Sequence, residues 1–298
     1  VPTIYEVPLV MHRQHLDEVV LSKLDLPSEQ EPDLSSLQAF VDKVKNPKRT
    51  IDIALVGKYT ELPDAYKSIC ESFIQAGAVN DCKVKLHYVN SEKIDASNVG
   101  EKLGKMAGIL VAPGFGNRGI EGKIEAVHFA RTHRIPFLGI CLGMQCAVIE
   151  FARNVLGFKD ATSTEMDPAT KHPVIDLMEE QKGITAKGGT MRLGAYECIL
   201  QKGSKAYEAY GTEHIQERHR YEFNNQYKTE YEAAGMKCVG INPESDLVEI
   251  VEIPELKWFV GTQFHPEYSS TVLNPHPLFV AFIKASIESF EEKEKAKK

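Results

Sequence analysis

The sequence predicts an α/β fold in which a mostly parallel sheet carries helices on both faces. Two patterns lead there. Near-continuous apolar runs such as "IDIALVGKY" at 51–59 lack the in-out alternation of a half-exposed strand, as expected for strands buried on both faces. Each run is followed closely by a helical pattern, the rhythm of repeated strand-turn-helix units. A length of 298 residues, 43% apolar and 26% charged, is ordinary for a globular protein with one large or two smaller domains.

Residues 1–50 differ from the rest of the chain and are assigned to the end of a preceding domain and a linker. A short apolar opening leads to a helical pattern around Leu16, Val19, Val20 and Leu24, then to the connector "LPSEQEP". A second helix comes after it, with Asp33 as N-cap, Leu34, Leu37, Phe40, Val41 and Val44 on one face, and Asn46-Pro47 as its stop. Because the chain opens on Val1 with residues that read as mid-domain, it is expected to be a piece of a longer polypeptide.

The second unit, 51–298, begins with that first strand and the helix "DAYKSICESFIQAGAV". The strand "KVKLHYVN" and the short helix "NVGEKLGKM" come next. "GILVAPGFG" passes through a glycine loop into a helix over 121–134, and "PFLGIC" runs directly into a helix over 142–156. A long polar insertion fills 160–190; strands are expected at 191–200, 236–241, 247–253 and 258–264, and a last helix from about Pro275.

Composition excludes several function classes. A net charge of −7 argues against a general nucleic-acid or membrane-surface binder, although local Arg and Lys residues could hold one anionic ligand. No apolar run reaches the roughly 18–20 residues of a membrane span, and no secretory signal opens the sequence. Six cysteines without C-x-x-C pairs read as reduced thiols of a cytoplasmic protein. The ten histidines form no metal-ligand spacing, so no metal is expected. "GKYT" at 57–60 lacks the upstream glycine of a phosphate-binding loop.

One motif raises the chemistry. In "PFLGICLGMQ", Gly139-x-Cys141-x-Gly143 is the cysteine version of a nucleophile elbow, where a strand turns sharply into a helix. Side chains at the glycines would collide with backbone, and the helix N-terminus favours the thiolate. A merely packed cysteine in a tight turn is the simpler alternative. "QFHPEY" supplies a partner: His265 and Glu267, two apart, share a face if the segment is extended, and a carboxylate can orient an imidazole. Pro266 places the pair at a strand end, where parallel sheets gather their ligands. A His-x-Glu pair alone is more often incidental. "GFGNRG" at 114–119 has the spacing of a dinucleotide fingerprint, but it follows the third strand and has no acidic residue at the end of the next one. Its better use is an oxyanion loop, completed by the N–H of Leu142.

Together "GICLGMQ" and "FHPE" resemble the class I, triad-type glutamine amidotransferases. "VGKYTELPDAYKSICESF", "GFGNRGIEGK", "TSTEMD", "GGTMRLGAYECIL" and "RHRYEFNN" narrow the resemblance to the CTP synthase family, over essentially the whole chain. The resemblance implies a flavodoxin-like amidotransferase fold, with residues 1–50 as the end of a synthetase domain and its linker. It implies Cys141 as nucleophile, His265 as proton shuttle, Glu267 as its orienter, and Gly114 and Leu142 as oxyanion donors. Gly114, Leu142, Gly143, Met144, Gln145, Glu165 and Arg220 would hold L-glutamine, with Glu165 facing the ammonium and Arg220 the carboxylate. Phe115, Arg118 and the "GGTMRLG" loop fall in segments the family associates with GTP activation. No cofactor is implied in this domain; the full enzyme would use ATP, Mg2+ and UTP, with GTP as activator. Its partner would be the N-terminal synthetase domain, the full enzyme a homotetramer and this piece, on its own, a monomer. Where many relatives read "PGGFG", this sequence has Pro113, so the loop is expected to be stiffer with Gly114 still a donor.

The alternatives are a stand-alone Cys-His-Glu hydrolase of the γ-glutamyl hydrolase type, which should accept peptides or γ-glutamyl chains, and a catalytically silent regulatory module of the same fold, against which the intact Cys141, His265 and Glu267 speak. A dinucleotide-binding oxidoreductase, testable by cofactor titration, is the third.

Overall fold

In a computed structural model, residues 1–27, 31–177, 196–217 and 221–296 are described. Strands β1 (Arg49–Gly57), β2 (Cys82–Asn90), β3 (Gly108–Val111) and β4 (Phe137–Ile140) alternate with helices α4 (Lys67–Val79), α5 (Val99–Leu103) and α6 (Ile120–Thr132). Helix α7 (Leu142–Phe151) follows β4 directly and ends in a π-helical turn, Ala152–Leu156. Three helices precede this unit: α1 (Val7–Arg13), α2 (Leu16–Lys23) and α3 (Ser35–Lys45). Helices α8 (Lys205–Tyr210), α9 (Lys228–Ala234) and α10 (Pro277–Ala296) lie further along the chain. The short apolar opening to which the sequence assigned no element contains α1. Asp33 Oδ1 does accept the Ser35 N–H at 3.0 Å, one residue outside the assigned cap. Leu9, Phe40 and Val41 pack on Ala78 of α4.

The alternation of apolar residues on the strands explains the two layers. On β1, Ala54 and Val56 face a core built with Ile120, Ile124 and Val127 of α6 and Met144 and Val148 of α7. Ile53 and Leu55 face the other way, toward Ile69 and Phe73 of α4 and toward Phe279, Phe282 and Ile283 of α10. Successive strand side chains point to opposite faces, so a strand buried on both sides must be apolar throughout.

The sheet continues through β12 (Phe259–Thr262), β11 (Val248–Glu252), β10 (Lys237–Ile241), β7 (Tyr196–Leu200) and β8 (His214–Glu217), giving the order β2-β1-β3-β4-β12-β11-β10-β7-β8. The first five strands are parallel in the 2-1-3-4-5 order of doubly wound folds, and the remaining pairings are antiparallel. The site-bearing half thus follows the expected parallel plan, while the other half makes the whole sheet mixed. The polar stretch 160–190 is not uniformly irregular. It contributes β5 (Thr162–Ser163) and β6 (Pro173–Leu177), which join β9 (Tyr221–Phe223) in a small sheet against α7. Its signal was faint because these strands are only two to five residues long, too short for an alternating pattern to show. The "GGTMRLG" loop and Arg220 lie outside the described residues.

Candidate active site

The elbow after β4 is sterically demanding. Cys141 adopts φ 52° and ψ −105°, a conformation that L-residues rarely hold. A β-carbon on Gly139 would stand 2.8 Å from the backbone of Gly143, and one on Gly143 would stand 2.1 Å from the carbonyl oxygen of Val111. Both glycines are therefore required by backbone approach. The N–H of Cys141 donates to the carbonyl of Thr262 at 2.7 Å, which ties the elbow to the neighbouring strand. The sulfur sits at the N-terminus of α7, whose first N–H groups have no intrahelical acceptors and favour negative charge.

Strand pairing brings the partner in. β12 lies parallel beside β4 with Thr262 opposite Ile140, so Cys141 and His265 both emerge from carboxyl ends of adjacent strands. His265 Nδ1 lies 2.8 Å from Glu267 Oε1, and Cys141 acts electrostatically on the same imidazole. Burial alone would lower the pKa of His265; its interactions with Cys141 and Glu267 outweigh that and raise it to about 10. The imidazole is then protonated at neutral pH, between a carboxylate and a sulfur. One detail departs from the sequence expectation. His265 and Glu267 are not on an extended segment: Pro266 opens a 3-10 turn, Pro266–Tyr268, and the turn closes the pair. Proline at the first position suits such a turn because its missing N–H is not needed there. Ser72 of α4 donates to the carbonyl of Glu267 at 3.5 Å, and Tyr268 stacks on His265 with ring centroids 5.2 Å apart.

The glycine loop after β3 stands opposite the elbow, where Leu142 Cδ2 would be 3.6 Å from a β-carbon on Gly114. Ala112 still donates its N–H to Val56 across the sheet, at 2.9 Å, so Pro113 falls just beyond the last sheet bond and its missing donor disrupts nothing. Gly114 has φ 155° and Gly116 φ 72°. Glu165, held just beyond β5, accepts the Gly116 N–H at 3.1 Å, so the carboxylate lies on the loop. Gln145 is buried and donates to Gln263 Oε1 at 3.3 Å, while Gln263 Nε2 lies 3.7 Å from the Cys141 sulfur. Met144 is fully buried against Gly261, so its side chain cannot line a pocket and only its backbone is available there. Gly143 packs on β3. Phe115 is exposed, and Arg118 lies over the Tyr59 ring at 5.4 Å and 3.4 Å from Glu92.

Sequence reasoning missed Gln263, Tyr268 and the lysines Lys58 and Lys123, both buried at the loop. Gln263 and Tyr268 flank the chosen pair in "QFHPEY"; nothing in the spacing marked the two lysines. All six cysteines are free thiols, and among the described residues no His, Cys, Asp or Glu cluster of metal-ligand type occurs. No helix among them is long and apolar enough to cross a membrane.

The family model "Glutamine amidotransferase class-I" matches residues 61–285, which contain the elbow, the loop and the His-Glu pair. The chain belongs to the class I glutamine amidotransferase family. This amidotransferase is 67% identical over 291 residues to the CTP synthase of Bacteroides thetaiotaomicron, covering 96% of this chain and 54% of that one. It is 56% identical over 292 residues to the CTP synthase of Flavobacterium johnsoniae, covering 97% and 54%. It thus spans about half the length of the curated relatives it matches. Among solved structures, the glutaminase domain of Trypanosoma brucei CTPS, determined with bound acivicin, is similar at 36% identity and TM-score 0.75, covering 80% of this chain and 94% of that one. The amidotransferase is therefore of the CTP synthase glutaminase type.

Proposed function

We propose that this amidotransferase hydrolyses L-glutamine to glutamate and ammonia at Cys141. The observation that carries the reading is that the paired ends of β4 and β12 bring Cys141, on its strained elbow, together with an imidazole held 2.8 Å from Glu267. In the first half-reaction the thiolate attacks the carboxamide carbon. The developing oxyanion is received by the N–H groups of Gly114 and Leu142, and His265 protonates the departing ammonia, leaving a γ-glutamyl thioester. In the second, His265 takes a proton from water, which attacks the thioester, releases glutamate and restores the Cys141 thiolate beside the protonated His265. Glu165 holds the substrate ammonium and Arg220 its carboxylate; Gly143 and Met144 contribute backbone only, and Gln145 a buried amide.

Residues 1–50 form the end of a synthetase domain and its linker, and 51–298 the glutaminase domain. Ammonia passes to that synthetase domain, where UTP is phosphorylated by ATP with Mg2+ and aminated to CTP. GTP activates through Phe115, Arg118 and the "GGTMRLG" loop. The whole enzyme is a cytoplasmic homotetramer.

The test is covalent labelling with acivicin, with and without excess L-glutamine, followed by peptide mass spectrometry. Modification confined to Cys141 and suppressed by glutamine is expected. Labelling spread over several cysteines and indifferent to glutamine would overturn the reading.

A further inference from the structure

Two lysines have no assigned part in this chemistry. Lys58 follows β1 and is 5% exposed; Lys123, in the first turns of α6, is completely buried. Their ammonium groups bond backbone carbonyls of the glycine loop. Lys123 Nζ donates to Ala112 at 2.5 Å and to Pro113 at 3.4 Å. Lys58 Nζ donates to Gly116 at 2.9 Å and also to Phe115. Four of the five carbonyls from Ala112 to Gly116 are thus turned toward two cations, and the carbonyl left out is that of Gly114.

The geometry of a trans peptide gives this pinning a consequence. The C=O of one residue and the N–H of the next point in opposite directions across the same plane. With the Pro113 carbonyl turned to Lys123, the Gly114 N–H must face away from Lys123. Proline has no N–H of its own, so the carbonyl is the only backbone handle by which residue 113 can be held. Burial pushes the Lys123 ammonium down to about 8, whereas a methionine would fill the same volume without desolvating a charge. Packing alone therefore does not account for a lysine at this position.

We propose that Lys123, seconded by Lys58, is a positioning residue for the oxyanion site: holding the carbonyls of Ala112 and Pro113 beneath the loop turns the Gly114 N–H toward the reacting oxygen of the carboxamide. This rests on the reading of Gly114 as an oxyanion donor. It assigns the lysines no contact with substrate.

Two electrophiles separate positioning from mere support of the fold. Iodoacetamide alkylates Cys141 by direct displacement of iodide from the carbon beside its amide carbonyl; the carbonyl itself is not attacked and no oxyanion is built. The chloroketone analogue of glutamine has a carbonyl oxygen that must occupy the oxyanion site. In Lys123→Met we expect the chloroketone rate at Cys141 to fall at least tenfold and glutaminase kcat about 100-fold, the order seen for loss of one oxyanion donor. Iodoacetamide labelling and KM for glutamine should stay within about threefold, since neither uses the donor selectively in the transition state. Lys58→Met, read with the same pair of reagents, replaces Lys123→Met if the latter shows no cooperative melt, and a smaller loss in the same direction is expected. A folded variant whose two labelling rates are unchanged, or fall in parallel, would overturn the proposal. Wild-type protein that reacts with the chloroketone without protection by glutamine would instead overturn the amidotransferase reading of the site, and this proposal with it.

Discussion

The carbonyl oxygen of Val111 occupies the space beside Gly143, 2.1 Å from where a β-carbon would stand. Neither partner can yield cheaply, because Val111 is fully buried in β3 and Gly143 is in the first turn of α7. Gly143→Ala must therefore push the start of α7, and with it Cys141, away from the loop. We expect a loss of about 3 kcal/mol of stability and a drop in kcat of roughly 100-fold, as for an ångström-scale misplacement of a reacting group. Thermal melts and steady-state glutaminase rates measure both. A fully active, fully stable Gly143→Ala would show that the elbow does not need the close approach.

Glu267→Gln removes the carboxylate while keeping an oxygen 2.8 Å from His265. The expected outcome is a fall in kcat of about 100- to 10,000-fold, the range for a misoriented or undercharged imidazole. The basic limb of the rate profile should move to lower pH, since one of the interactions raising His265 is weakened. The same shift sets the sign of the stability effect. Folded His265 titrates near 10 against an ordinary 6.5, so its contribution is full below pH 6.5 and is lost as pH rises toward 10. The difference in melting temperature between wild type and Glu267→Gln should therefore shrink between pH 6.5 and 10.

His276 titrates in the opposite direction. It is buried, its Nδ1 accepts the Leu278 N–H at 3.3 Å, and its Nε2 lies 3.2 Å from the Tyr210 hydroxyl, an arrangement made for a neutral ring. Burial pushes its pKa down to about 4. Between pH 6.5 and 4 the unfolded chain binds a proton that the folded chain refuses, so stability falls by about 3 kcal/mol over that window. His276→Gln should flatten the acid limb of a plot of melting temperature against pH, whatever its effect at pH 7. An unchanged acid limb would place the acid sensitivity elsewhere.

Glu165→Gln retains an oxygen for the Gly116 N–H, which the carboxylate now accepts at 3.1 Å, but removes the negative charge. Loss of a charge-assisted contact with the substrate ammonium is worth roughly 1.5–3 kcal/mol, so KM for glutamine should rise about 10- to 100-fold with kcat little changed. A change in kcat alone would assign Glu165 to the loop and not to the substrate.

How much of this was legible in the residues depended on the range of the force involved. The elbow could be read because its constraint is local: two glycines, a cysteine and the start of an apolar helix lie within five positions. The loop could be read as an oxyanion loop only by weighing it against a dinucleotide fingerprint, since the same glycines serve both. The His-Glu pair was legible as a pair although a 3-10 turn begins at Pro266, because His265 lies outside that turn as its N-cap and the Glu267 carboxylate reaches back to it. Lys123 could not be read at all. One lysine among 35 basic residues carries no sign of its burial until α6 is laid against β3 and the loop.

By itself the sequence determined the strand-helix rhythm, the two-sided burial of the first strands, the cysteine elbow and the His-Glu pair proposed to serve it. These come from side-chain periodicity and from steric exclusion within a few residues. Only the tertiary structure decided that β12 returns across 118 residues of sequence to lie beside β4, as the pairing of Thr262 with Ile140 and the Gln145–Gln263 contact show. It also decided that the far half of the sheet is antiparallel, that β5, β6 and β9 hold Glu165 over the loop, and that two lysines hold it from below. The physical reason is that strand order and the burial of a charge are settled by the whole set of competing packings, whereas a tight turn is settled by its own atoms.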